Sequence, residues 1–218
     1  MSPPAGGYAP PILGGDALRE RLREIAARAT APEEALEPAL QVILEAGRAA
    51  AAAVCVFDSR HAILRLVAEV GLSDEGCRRL RSVRRGDPTA WDMPLQGLLN
   101  RRAYLIENAS RNRYVPRLVE QAASVRSIAC LPLYAGPTPI GSLVLVALAP
   151  RSFAERDLKL LERGVAELAT MIEAVRRRGG VADEEPAAAP VVRPPLPRDP
   201  ELVAELDRLR DEVTARLA

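Results

Sequence analysis

Histidine and cysteine are nearly absent from this chain, and that narrows its chemistry before any motif is read. The one histidine is His61; the three cysteines, Cys55, Cys77 and Cys130, are an odd number with no Cys-x-x-Cys pair. Neither a disulfide framework nor a zinc site is indicated, and a reducing compartment, the cytosol, fits best. A lone histidine also gives poor support to haem or non-haem iron, so no metal and no cofactor is expected. An excess of charge is lacking too: 30 basic residues face 29 acidic ones, a net charge of +1. No long-range field steers such a protein to nucleic acid or anionic lipid. Lysine occurs once, at Lys159, a bias that fits a GC-rich genome and carries no functional weight. No stretch approaches the roughly 18 apolar residues of a membrane span, and MSPPAGGYAPPILGG at the N-terminus has no basic n-region. The expected setting is cytoplasmic, away from both membrane and nucleic acid.

What is present reads as one α+β domain with tails. A domain of about 160 residues can bury roughly 70% of its unfolded surface, so one core suffices. Residues 1–15 are rich in Pro and Gly and are expected to be disordered. A helical stripe of Leu18, Leu22, Ile25 and Ala29 follows; then Thr30 and Glu33 suggest a capping box before Leu36, Leu40, Ile43 and Leu44, with Gly47 closing the helix. AAAVCVFD (51–58) and AILRLVAEV (62–70) read as strands of a hairpin. A short helix is expected around 75–80, a helical turn at Leu95, Leu98 and Leu99, a strand at 103–107, and a short helix or loop over 114–121. Residues 125–134 and 140–149 are Val-, Ile- and Leu-rich strands joined by AGPTP, whose prolines punctuate a turn and are not expected inside a central ladder. Ser152 and Glu155 form a capping box for a last helix striped by Leu158, Leu161, Val165, Leu168, Ile172 and Val175.

The order of these elements and a few residues resemble the GAF domain family. In that family a strand ending in Pro-Leu or Pro-Ile is followed by a turn and Ile-Gly-x-Leu, matched here by Leu131, Pro132 and Leu133, then Ile140, Gly141 and Leu143. A Phe followed four residues later by Asp opens the last helix, matched by Phe153 and Asp157. The PAS fold is the structural competitor; the terminal helix and the Ile-Gly strand favour GAF. The resemblance covers residues 16–178. It implies a GAF-like central antiparallel β-sheet with flanking helices, a ligand cavity roofed by loops on one face, and a homodimer packed through the first and last helices.

Pocket candidates follow from that resemblance. Trp91 and Leu95 lie in the segment where the family's variable pocket loops fall; Arg126, Ile128 and Cys130 share one face of the neighbouring strand, opposite Ser127, Ala129 and Leu131. Which face is inward stays open. Asp58, Ser59 and His61 are too close on a hairpin turn to build a triad and read as a polar turn. Cys130 reads as a buried thiol, and Cys77, beside Arg78 and Arg79, as the more reactive one. Bilin-carrying relatives attach their chromophore through Cys-His, whereas Cys55, Cys77 and Cys130 precede Val, Arg and Leu. The Asn, Lys, Phe, Asp and Glu set of cyclic-nucleotide-binding relatives is only loosely imitated by Asn112, Arg113, Tyr114 and Glu120. Arg101, Arg102, Arg111 and Arg113 could clamp an anion, against the plainer reading of a solvated face. The sulfoxide reductases of the family need pocket-loop cysteines, and residues 82–125 contain none. The expectation is not an enzyme.

Beyond the domain, Arg176–Arg178 complement a helix C-terminus and Gly179-Gly180 stop it. Residues 179–198 form a Pro/Ala-rich linker able to span up to about 50 Å. Asp199 and Pro200 then start an amphipathic C-terminal helix, 199–218, with Leu202, Leu206, Leu209, Val213 and Leu217 on one side and an i,i+4 pair of Glu212 and Arg216. Such a short helix must dock on something, which makes it a partner-binding element. Two functions are consistent with this: a sensor that binds a small molecule and relays its occupancy through dimer helices or the C-terminal helix to a partner protein, the favoured reading, and a pocketless GAF adaptor. An occupied cavity of apolar side chains would favour the adaptor, and open space with convergent polar groups the sensor.

Overall fold

Two strands carry the fold because their side chains are buried on both faces. The computed structural model describes residues 14–121, 124–148, 153, 161 and 165–178. Strands β1 (Ala51–Asp58), β2 (Ile63–Val70), β3 (Ser82–Val83), β4 (Tyr104–Glu107), β5 (Ser127–Ala135) and β6 (Thr138–Ala147) form one antiparallel sheet in the order β3-β2-β1-β6-β5-β4. All eight residues of β1 are buried, and their alternation sends Ala52, Val54 and Val56 to one face and Ala51, Ala53, Cys55 and Phe57 to the other. A strand apolar at every position is what two covered faces require.

Helices α1 (Gly15–Arg28), α2 (Leu36–Gly47) and α5 (Ala166–Arg178) cover the first face. Their 3.6-residue stripes converge there: Leu18 and Leu22, Leu40 and Ile43, and Leu168 and Ile172 are all buried in one cluster with Ala129, Leu131 and Leu143 of the sheet. Phe153, Leu161 and Val165 join that cluster. Arg23 Nε and Glu167 Oε1, 2.8 Å apart, tie α1 to α5. The second face lies under α3 (Asp74–Leu80), α4 (Met93–Leu99) and the irregular segment between β4 and β5.

Several local expectations are corrected. Glu34, and not Glu33, closes back on the chain, its carboxylate accepting from the backbone N–H groups of Thr30 (3.2 Å) and Ala31 (3.3 Å). Pro32 opens a 3₁₀ turn, Pro32–Ala35, ahead of α2, which moves the cap by one residue. At the other end of α2 the left-handed position is Arg48, not Gly47. Pro137 sits in the β5–β6 turn as expected, but Pro139 lies inside β6, opposite Tyr134. It is tolerated because β1 pairs with β6 only between Gly141 and Val146, so at Pro139 the strand has one neighbour. Residues 114–121 take the loop alternative of the expected short helix or loop.

The Ile-Gly pair has a steric explanation. Leu133 faces Gly141 and Tyr134 faces Pro139, so Ile140 is an extra residue in a β-bulge. The bulge presses the Gly141 Cα against β1, where a side chain would put its Cβ 2.3 Å from the Cys55 carbonyl oxygen. Only glycine fits between the two central strands. The Ser152–Glu155 capping box, Leu158, Asp157, residues 1–13, the 179–198 linker and the 199–218 helix with its apolar stripe lie outside the described residues.

Candidate functional site

The face under α3 and α4 gathers four of the five pocket candidates. Ile128 and Cys130 point to this side of β5, Trp91 and Leu95 cover them, and all four are buried in one cluster with Phe57, Leu98 and Val144. Ala129 and Leu131 point to the helix side. Arg126 is corrected: it is exposed, sits just before β5 and serves the fold through its backbone, donating to the Ala147 carbonyl (2.9 Å) and accepting from the Ala109 N–H (3.3 Å). Alternation carries it to the same side as Ile128, but beyond the end of the sheet there is nothing to bury it.

The cluster is held by polar tethers that sequence reading did not anticipate. Ser142, fully buried in β6, donates to the Pro94 carbonyl at 2.9 Å and fixes the start of α4 on the sheet. The Tyr134 hydroxyl donates to the Leu98 carbonyl near its end. Trp91 N–H donates to the Arg79 carbonyl (3.1 Å), joining α3 to the approach of α4. Ser73 caps α3 by accepting from Gly76 N–H at 3.1 Å, and its own hydroxyl donates to the Arg117 carbonyl. The signal for Ser73 was present, a Ser ahead of Asp74 and Glu75 in a helix first turn. Gly76 has a separate reason: a Cβ there would meet the Leu118 carbonyl oxygen at 2.6 Å.

All three thiols are held above the ordinary cysteine range. Burial pushes Cys55 up to about 12; burial and, after it, the neighbouring Cys55 raise Cys130. Cys77, the expected reactive thiol, is also raised, by burial and then by the charges of Glu69 and Asp74, against which Arg81 acts only partly. The adjacent arginines of α3 do not reverse this, because Arg79 is turned to Glu75 and the carbonyls of Pro88 and Thr89. The Asp58–His61 set is a polar turn: Asp58 Oδ1 accepts from the N–H groups of Arg60 (3.1 Å) and His61 (3.3 Å), and His61 Nδ1 lies 2.8 Å from Oδ2. Among the described residues no group of three His, Cys, Asp or Glu could hold a metal ion. Nor is any described helix long and apolar enough to cross a membrane.

The arginines are dispersed over different tasks. Arg101 donates to the Pro137 carbonyl (2.9 Å) and lies over the Tyr134 ring, whereas Arg113 stacks on Tyr114. Open space on this face includes a cleft of about 160 Å³ reaching Ile128, lined by Ser110, Asn112, Val115, Arg117 and Leu118 among others. Two larger grooves, of about 810 and 320 Å³, lie on the helix side and share Pro32, Thr170 and Ala174; the smaller is lined by Ala26 of α1, Ala29 just after it and Met171 of α5.

An antiparallel sheet with long helices on one face and short helices and loops on the other is an α+β architecture. The chain belongs to the GAF domain family, whose model matches residues 29–173. Among solved structures it is similar to the GAF domain of an Acinetobacter phosphoenolpyruvate-protein phosphotransferase (19% identity, TM-score 0.58, covering 78% of this chain and 96% of that one). It is also similar to a free methionine-R-sulfoxide reductase from Neisseria meningitidis bound to its substrate (18%, TM-score 0.55, 79% and 99%). A third is the phycoerythrobilin-bound GAF domain of a cyanobacterial phytochrome (14%, TM-score 0.53, 76% and 97%). At these identities the likeness is one of fold. No curated protein matches the sequence.

Proposed function

We propose that this GAF domain is a non-catalytic signalling module that senses a small molecule on the loop-covered face and relays its occupancy to a partner protein. The carrying observation is the cleft that reaches Ile128 beside the polar side chains of Ser110, Asn112 and Arg117, while the neighbouring space around Trp91, Leu95 and Cys130 is filled. Its volume lies below the roughly 300–1,000 Å³ of drug-sized sites, which limits the ligand to a small molecule and leaves no room for a tetrapyrrole. The protonated thiols support a module without redox catalysis, since a thiolate is the nucleophile such chemistry needs. Relay would use a homodimer built on α1 and α5, whose shared grooves are lined by small residues, and the 199–218 helix through Leu202, Leu206, Leu209, Val213 and Leu217.

Native mass spectrometry of the purified full chain tests the reading. Excess mass that is lost on denaturation supports the sensor and reports the oligomeric state in the same spectrum. The filled cluster at Trp91 favours the second reading, a pocketless adaptor, and a bare dimer that binds no small molecule would select it. Monomeric mass by light scattering at tens of micromolar would contradict the dimer.

A further inference from the structure

The geometry points to a specific ligand class for the Ile128 cleft: a small carboxylate with an apolar tail. This rests on the sensor reading and adds the chemistry that would be recognised. The floor is apolar and fixed, with Ala109, Leu118, Val125 and Ile128 all buried. The walls are tethered at both ends. The 3₁₀ turn Ala109–Arg111 is bound to the approach of β5 by Ala109 N–H on the Arg126 carbonyl (3.3 Å) and Ser110 N–H on the Val125 carbonyl (3.2 Å). Opposite it, Leu118 accepts from Ser73 N–H at 2.8 Å.

The polar side chains of the lining are all capable of donating. Asn112 Oδ1 is already used, accepting from Tyr114 N–H at 3.0 Å, and that bond fixes the amide so that its NH₂ group is the free end. Ser110 supplies a hydroxyl and Arg117 a guanidinium. No carboxylate belongs to the lining among the described residues; the exposed Glu107 and Glu120 are outside it. Arg111 and Arg126, both exposed, flank the segment and add positive charge. A ligand with one anionic end for the donors and a short hydrocarbon body for the floor satisfies both halves. A neutral ligand leaves the cation without a partner, and a purely inorganic anion leaves the floor wet.

Benzoate, with benzamide as its neutral counterpart, probes this directly by titration into the ¹⁵N-labelled full chain followed by NMR. The expected result is saturable shifts at residues 109–118 and 128 for benzoate, with benzamide weaker by about tenfold or more, the loss of a charge-assisted bond. Arg117→Gln, at an exposed position that leaves the fold intact, should weaken benzoate by a similar factor, whereas Arg84→Gln, at the exposed residue just after β3 and outside the cleft lining, should change nothing. Equal binding of benzoate and benzamide, no binding of either, or indifference to Arg117→Gln would overturn the assignment. A neutral molecule found bound by native mass spectrometry would overturn the carboxylate class while leaving the sensor reading standing.

Discussion

Among the described residues, the cover on one face of the sheet includes three helices of 12 to 14 residues, α1, α2 and α5, and on the other two helices of seven residues, α3 and α4, with an irregular segment. Both bury Leu, Ile and Val against the same strands, so the difference is not one of hydrophobicity. Long helices satisfy their own backbone and need only an apolar stripe to dock. Helices of two turns are marginal by themselves, and the loop face accordingly relies on single side-chain tethers, Ser142 to Pro94, Tyr134 to Leu98 and Ser73 to Arg117. A face held by a few replaceable bonds opens locally before the domain unfolds, which suits the face that carries the cleft.

Changes that strike what both faces share should have the largest effect. Gly141→Val forces a side chain into the Cys55 carbonyl and should cost about 3 kcal/mol or abolish folding, seen as a lower urea midpoint of the whole transition. Ile43→Ala, on the helix face, should cost about 2–4 kcal/mol with global unfolding still a single cooperative step. Ser142→Ala should cost about 1 kcal/mol globally, yet it should speed amide exchange in α4 more than in α2. Equal acceleration in both helices would erase the distinction between the faces.

A further effect, no larger than that of Ser142→Ala, concerns the hairpin turn beyond both covers. Burial alone would raise Asp58, but hydrogen bonds and charge from His61, with the charge of Arg65, outweigh it and hold the carboxyl below the usual aspartate range. A depressed folded-state pKa gives stability that is present above the unfolded value, near 4, and is lost as pH falls through the folded one. Asp58→Asn should therefore lose about 1 kcal/mol at neutral pH and flatten part of the acid limb of the stability curve, read from urea midpoints between pH 3 and pH 7.

How far the sequence could be read follows the same division. The helix face was legible because Leu18, Leu22, Leu40, Ile43, Leu168 and Ile172 repeat at helical spacing, and the central strands because they are apolar without interruption. The loop face was legible in membership but not in construction. Trp91, Leu95, Ile128 and Cys130 do meet, whereas the fate of Arg126 depended on where the sheet ends, which no periodicity encodes. Ser142 and Gly76 act through contacts with residues 48 and 42 positions away, Pro94 and Leu118. Pro139 misled for the converse reason, since a proline in a ladder is judged by the neighbour it faces, and that neighbour is set by register.

Hydrogen exchange on the full chain, with and without benzoate, tests the central claim most directly. The account predicts that α3, α4 and residues 108–121 exchange well before α2, β1 and β6, and that benzoate slows the first group while leaving α2 unchanged. Uniform exchange across both faces, with no response to benzoate on the loop side, would contradict it.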